Sequence, residues 1–188
     1  ISDYHLLVIP ERFFLDLLQM TKKKRKIVVV DSRRRILQYK GVTMLTPNRA
    51  EVEAVIGKEV RTVEDLKKAG EIIIGQTETE TLLITLGEDG MALINRDKEV
   101  ELIPAYNRLE VFDVSGAGDT VVAAVTLGLS VGMTPLAAAR LANIAAGLVV
   151  RKLGTATVDL AEVEDVLEND PGYRGKVYDR AELQGSYY

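Results

Sequence analysis

The chain has 188 residues, of which 47% are apolar and 28% charged, and its formal net charge is -4. This composition indicates a globular chain with a sizeable core and gives no indication of nucleic-acid binding, while the absence of cysteine excludes disulfides and thiolate metal sites. Since the sequence shows no signal peptide and no apolar run of transmembrane length, we expect a cytoplasmic protein without a membrane partner.

The first predicted elements are a strand, a helix and a second strand. Tyr4–Ile9 is a short apolar run typical of a strand, and apolar residues after Pro10 recur with helical spacing, with the proline in the first turn. The basic run Lys22–Lys26 is typical of a solvated helix C-terminus, where cations stabilise the helix dipole; a nucleic-acid patch is the alternative. Ile27–Val30 predicts a strand that is apolar on both faces, as in a parallel sheet.

A helix-capping pattern follows the next predicted strand, Val42–Thr46. A helical stretch follows Pro47, and Asn48 at its start has the side chain of a helix cap. Glu51 stands three residues later, where the acid of a capping box is found. This pattern predicts a helix that begins at residue 48 or 49.

The middle of the chain alternates between helix and strand patterns. Thr62–Gln76 predicts a helix capped by its first residue, and Thr81–Leu86 predicts a buried strand. Thr85–Gly90 then reads T-x-G-x-x-G, a turn bounded by glycines. Met91–Asn95 and Glu99–Ile103 predict a hairpin, which would form an antiparallel edge on an otherwise parallel sheet.

The stretch Val111–Thr120 carries the strongest chemical pattern. Gly116 and Gly118 let backbone amides turn toward one point, and the amides at a helix start attract anions. The long apolar run that follows predicts a buried helix. Asp119 would repel a phosphate there unless it serves as a general base; the alternative is that it stabilises the helix dipole within an ordinary glycine turn.

Two helices are predicted in the last third of the chain. Thr134–Gly154 is rich in alanine and has a threonine cap, proline at the first position and glycine past its end. Within it, Asn143 is a polar residue on an apolar stretch and needs partners if it is buried. Asp159–Leu167 predicts the last helix. The elements together predict an α/β fold with a mostly parallel sheet covered by helices on both faces.

The stretch from Asp113 to Asp119 resembles the D-x-x-G-A-G-D signature of the ribokinase-like, PfkB-type carbohydrate kinases. The resemblance implies a three-layer sandwich and transfer of the γ-phosphoryl group of ATP to a sugar hydroxyl. It implies that Asp119 is the catalytic base and that the amides of Gly116, Ala117 and Gly118 hold the transferring phosphoryl group.

Further motifs of the same family follow in the same order as in its members. Asn48 and Glu51 resemble the N-x-x-E motif of the family. This resemblance implies that Glu51 organises Mg²⁺ and that both residues serve the nucleotide phosphates. Similarity to other family motifs implies that Thr85, Gly87 and Asn143 contact ATP. It also implies that Asp113 and Ser115 line a monovalent-cation site.

The sequence resembles most the heptose 7-phosphate kinase branch of the family. The resemblance places the nucleotide-binding, C-terminal portion of such a kinase at residues 1–170 and a tail or linker at 171–188. It implies that the N-terminal half, with most sugar contacts, is not in this sequence. The implied partners are a sugar phosphate, ATP, and either further copies of the chain or a separate N-terminal half; whether the chain acts alone, as part of a split enzyme or only binds nucleotide stays open.

The sequence departs from the family after the second predicted strand, and it contains one motif of another fold that its other residues exclude. Where family members often have Asp-Pro-Lys, this chain has Asp31, Ser32 and Arg33, so a phosphate-facing role for Arg33 competes with a solvated loop. Gly128–Gly132 matches the G-x-S-x-G pattern of hydrolases, but that fold needs a histidine after the serine, and the only histidine is His5.

Overall fold

The computed structural model describes residues 1–4, 9–97, 99–106 and 113–169. It divides the chain into two compact units, Ile1–Leu102 and Ile103–Tyr188. The predictions that involve His5, residues 111–112 and the tail 171–188 lie outside the described residues.

A six-stranded sheet runs in chain order and is parallel over its first four strands. β5 is antiparallel to β4, and β6 lies beside β5. The strands are β1 (Ser2–Asp3), β2 (Val29–Ser32), β3 (Met44–Leu45), β4 (Thr81–Thr85), β5 (Met91–Asn95) and β6 (Val100–Ile103). The predicted fold class, α/β with a mostly parallel sheet, is confirmed.

The bounds of the first strands differ from the predicted ones. The predicted strand Tyr4–Ile9 lies mostly outside the described residues, and β1 is formed by Ser2–Asp3. β2 begins and ends two residues later than Ile27–Val30, and β3 keeps only two of five predicted residues. In a parallel pair both strands come from distant parts of the sequence, so the partner decides where the ladder starts and ends. Local apolar runs do not contain that information.

Three helices of the first unit are α1 (Glu11–Lys23), α2 (Arg49–Ile56) and α3 (Val63–Thr77). The basic run ends α1 as predicted, with Lys22 and Lys23 in its last turn. Both α2 and α3 begin with a complete capping box, formed by Asn48 with Glu51 and by Thr62 with Asp65. These boxes satisfy first-turn amides that a helix cannot satisfy itself.

Both faces of the central strands are buried. Val30, Leu82 and Ile84 belong to one apolar cluster with residues of α1 and α3. The alternate residues Val29 and Leu83 point to the other face, and they are buried as well. This burial pattern agrees with the continuous apolar strands of a parallel sheet.

The second unit contains α4 (Ala117–Ser130), α5 (Pro135–Val149) and α6 (Leu160–Asn169). α4 and α5 approach closely because Gly128 has no side chain: a Cβ there would lie 3.0 Å from the Cβ of Ala138. Thr134 caps α5 and Pro135 is its first residue, as predicted. None of the helices in the described ranges is long and apolar enough to cross a bilayer.

Two glycines of α3 allow a matched stability test. A Cβ on buried Gly70 would lie 2.7 Å from Cγ2 of Ile94 in β5, whereas a Cβ on exposed Gly75 meets nothing within 4 Å. Gly70→Ala should therefore lower the free energy of unfolding by about 1–3 kcal/mol through overpacking. Gly75→Ala should raise it by about 0.5–1 kcal/mol through helix propensity. Urea titrations check both signs, and equal effects would contradict this packing.

Candidate active site

The first unit brings two predicted motifs together at the carboxyl end of the parallel strands. Asn48 and Thr85 form an isolated parallel bridge, and the amide of Thr85 donates to the carbonyl of Pro47 at 2.9 Å. Gly87, two residues on, has a φ of 65° and space where a side chain would stand. Open sheets bind ligands at this edge. The motifs are 37 residues apart in sequence, and strand pairing makes them neighbours.

Arg49 links these two motifs through an ion pair and a hydrogen bond. The sequence did not predict this role. Its Nη2 atom lies 2.6 Å from the Asp89 carboxylate and 3.5 Å from the carbonyl of Leu86. Its buried Nε has no hydrogen-bond partner among the described residues. The signal in the sequence was a cation directly after Asn48, but only the fold reveals that its partner lies in the T-x-G-x-x-G turn.

Glu51 has two functions open to it. Its carboxylate accepts the Asn48 amide at 2.9 Å, which completes the cap of α2. Burial raises the pKa of Glu51, and the Asn48 hydrogen bonds and the charge of Arg33 oppose that rise. The residue is half-buried. The role in Mg²⁺ binding stays a prediction.

The second unit places Asp119 in the first turn of α4. The helix begins at Ala117 after Gly116, which has a φ of 82° and so requires glycine. Asp119 is the third helical residue and is exposed. A Cβ on Gly118 would meet nothing within 4 Å among the described residues. Neither backbone conformation nor packing explains why residue 118 is glycine, whereas close approach of a ligand would.

The amides at this helix start are not equivalent. The Ala117 amide donates to the Val114 carbonyl at 3.2 Å, and the Thr120 amide donates to the Gly116 carbonyl at 3.0 Å. No side chain caps α4, and within the described ranges no acceptor faces the Gly118 amide. Of the three amides that the resemblance implies, Ala117 is therefore already hydrogen-bonded, and anion binding by the other two stays a prediction.

Asp113 and Ser115 shape the turn that leads into α4. The Asp113 carboxylate accepts the Ser115 amide at 2.8 Å. Hydrogen bonds from the Ser115 amide and hydroxyl, and then from the Gly154 amide, lower the pKa of Asp113. The carboxylate thus joins this turn to the loop after α5. Cation binding by these two residues stays a prediction.

A lysine holds the loop that contains Gly154. Lys152 donates to the Thr157 carbonyl at 2.7 Å and pairs with Glu162 of α6 at 2.8 Å. Glu162 and Asp159 also bond to each other's backbone amides, which caps α6. These contacts hold the loop after α5 against the start of α6. Gly154 in this loop donates its amide to the Asp113 carboxylate.

Asn143 is buried, as its place on an apolar helix suggested. Only 4% of its surface is exposed, and its amide group donates to the Pro104 carbonyl at 2.8 Å. This bond fixes the chain where it leaves β6. A contact with adenine stays a prediction for this side chain, which already has a structural function.

The residues present fit a magnesium ion held mainly by a nucleotide. The described residues contain no cluster of three or more His, Cys, Asp or Glu side chains that could hold a metal ion. Mg²⁺ in phosphoryl-transfer sites typically takes one or two carboxylates, water and phosphate oxygens. The carboxylate of Glu51 is a donor of this type.

The chain is similar in sequence to a known protein family over most of its length. The sequence model of the "pfkB family carbohydrate kinase" family matches residues 1–162. The chain is 40% identical over 187 residues to the bifunctional protein HldE of Desulfatibacillum aliphaticivorans. That alignment covers 98% of this chain but 38% of the relative. The chain therefore spans less than half the length of this relative.

Solved structures share the fold at lower identity. Ribokinase of Arabidopsis thaliana, complexed with ribose and ATP, superposes with a TM-score of 0.76 at 23% identity, over 85% of this chain and 53% of that chain. Phosphofructokinase-2 of Escherichia coli, in complex with potassium, gives a TM-score of 0.71 at 19% identity, over 84% and 52%. At these identities the comparison shows a common fold.

Proposed function

Since the chain belongs to the pfkB family of carbohydrate kinases, we propose that it carries the ATP-binding and base-bearing part of a sugar kinase. The acceptor is the hydroxyl of a sugar phosphate, and D-glycero-D-manno-heptose 7-phosphate is the acceptor that the motif resemblance favours. The observation that carries the proposal is the start of α4, where Asp119 is exposed beside the open space at Gly118.

In the proposed reaction Asp119 takes the proton of the sugar hydroxyl. The hydroxyl oxygen then forms a bond to the γ-phosphorus while the bond to the ADP oxygen breaks. The Gly118 amide and the positive end of α4 stabilise the charge on the phosphoryl oxygens. Thr85 and Gly87 contact the nucleotide. Glu51 would hold Mg²⁺ when the nucleotide is bound, and the ion would supply neutralisation of the phosphate charge.

The competing function is a nucleotide-binding module or one half of a split kinase. The observation that favours it is that Asn48 and Thr85 are brought together within the first unit, whereas Asp119 belongs to the second unit. In this case the chain binds ATP, and turnover needs residues from elsewhere. Chemistry and binding can be separated because Asp119 and the nucleotide residues are different groups.

A binding and turnover experiment distinguishes the two functions. The purified chain is titrated with ATP and Mg²⁺ by calorimetry, then incubated with ATP, Mg²⁺ and a panel of phosphorylated and free sugars that includes heptose 7-phosphate. A sugar kinase is expected to form ADP only when its acceptor is present. Binding without ADP formation identifies the module, and a chain that binds no nucleotide contradicts both functions.

A further inference from the structure

Arg49 is the first residue of α2, and its side chain reaches the T-x-G-x-x-G turn that follows β4. Its Nη2 atom contacts that turn at two points, the Asp89 carboxylate at 2.6 Å and the Leu86 carbonyl at 3.5 Å. These two points lie on either side of Gly87 in the sequence. The side chain therefore joins the start of α2 to both ends of the segment that carries a proposed nucleotide contact.

The backbone of the turn fixes its shape but not its distance from α2. The Leu86 amide donates to the Gly90 carbonyl at 2.8 Å, and the Gly90 amide donates to the Gly87 carbonyl at 3.0 Å. Both bonds stay within the turn. The bond from the Thr85 amide to Pro47 joins the two motifs just before the turn begins, and Arg49 joins them beyond that point. A change at Arg49 can therefore move the turn relative to the start of α2 while the internal bonds of the turn remain.

The ion pair of Arg49 with Asp89 adds little to the stability of the fold. The two side chains are 38% and 56% exposed, and solvent screens the attraction of such a pair. The buried Nε atom of Arg49 finds no hydrogen-bond partner in the part of the chain that the structure describes, which costs folding free energy. Stability therefore does not explain this side chain. Local arrangements that are not optimal for stability are expected where a residue serves a functional site.

We propose that Arg49, through Asp89, is a positioning residue that holds the T-x-G-x-x-G turn at a fixed distance from the Asn48 cap, so that one nucleotide contacts both motifs. This inference rests on the proposed function and gives the ion pair itself no contact with the nucleotide. A guanidinium suits this role, because its planar fork presents several donors in one fixed geometry. The proposed function assigns the terminal phosphoryl group to the start of α4. Loss of the ion pair should therefore weaken ATP and ADP binding to the same extent.

A double-mutant cycle tests this inference. ATP and ADP are titrated with Mg²⁺ by calorimetry into the wild-type chain, Arg49→Ala, Asp89→Ala, the variant with both alanine substitutions, and the charge exchange that combines Arg49→Asp with Asp89→Arg. Each single alanine variant should weaken the binding of both nucleotides about three- to tenfold, and the double one no further, because the two side chains act as one unit. The charge exchange should restore most of the affinity. Arg61→Ala is the matched control, since Arg61 forms a 2.7 Å exposed ion pair with Glu59, and it should leave both affinities unchanged.

The outcomes separate this inference from the function on which it rests. Wild-type affinity in both single alanine variants overturns the positioning role while nucleotide binding stands. A loss confined to Arg49→Ala, or to ATP, means that the guanidinium binds the nucleotide directly, and a fall in the thermal unfolding midpoint that parallels the loss of affinity means that the pair is structural; both overturn the role. A wild-type chain that binds neither nucleotide overturns the proposed function and this inference with it. Equal and non-additive losses at an unchanged unfolding midpoint support the role.

Discussion

Asp119→Asn is expected to lower the rate of phosphoryl transfer roughly 10²–10⁴-fold, the range that a positioned general base contributes. Asparagine has nearly the same shape and suits the first turn of a helix, so the start of α4 should keep its conformation. ATP binding should change little, because the amide and the helix dipole at Gly118 remain. The measurements are ADP formation with the acceptor that the wild type uses, and calorimetric ATP binding.

The control for this substitution is Glu64→Gln. Glu64 is an exposed acid in the first turn of α3, so its removal also takes one carboxylate from a helix start. It should leave turnover unchanged. If Asp119→Asn retains full turnover, Asp119 is only a dipole-stabilising residue and the proton is removed by another group. If ATP binding is lost together with turnover, the side chain has a binding function instead.

Much of the fold could be predicted because its helices have local start signals. The threonine and asparagine caps placed α2, α3 and α5 within a residue or two of their observed starts. The short parallel strands could not be bounded in this way. β1 and β3 have two residues each, and their ends follow from pairing with β2 and β4, which the sequence does not encode locally.

The site shows the same division between local and distant information. The sequence predicted site residues at Asn48, Glu51 and the glycines at the start of α4, and the structure places Asn48 beside Thr85. The ion pair of Arg49 with Asp89 and the stacking of Arg33 on Tyr4 join residues that are 40 and 29 positions apart. No periodicity or spacing rule predicts such contacts, since they depend on the order of strands in the sheet. The hydrogen bond from the Ala117 amide to the Val114 carbonyl likewise depends on the backbone conformation of the turn before α4.

Glu51→Gln is expected to raise the Mg²⁺ concentration needed for ATP binding by roughly 10–100-fold, the usual cost of losing a group that orients a metal's ligand shell. Glutamine can still accept the Asn48 amide, because the capping box functions with Glu or Gln at this position. Helix α2 should therefore keep its start, and the loss of the negative charge is isolated from the loss of the cap. Calorimetric ATP titrations at several Mg²⁺ concentrations measure the effect.

Asp65→Asn is the matched control, because Asp65 occupies the same position in the capping box of α3. Hydrogen bonds from Lys58 and Thr62 lower the pKa of Asp65, so its contribution to folding is present at neutral pH and is lost as the pH falls below its ordinary value of 3.8. Asp65→Asn should therefore reduce stability at neutral pH without changing the Mg²⁺ dependence. Should both substitutions shift stability alone, Glu51 is a helix cap with no part in metal binding.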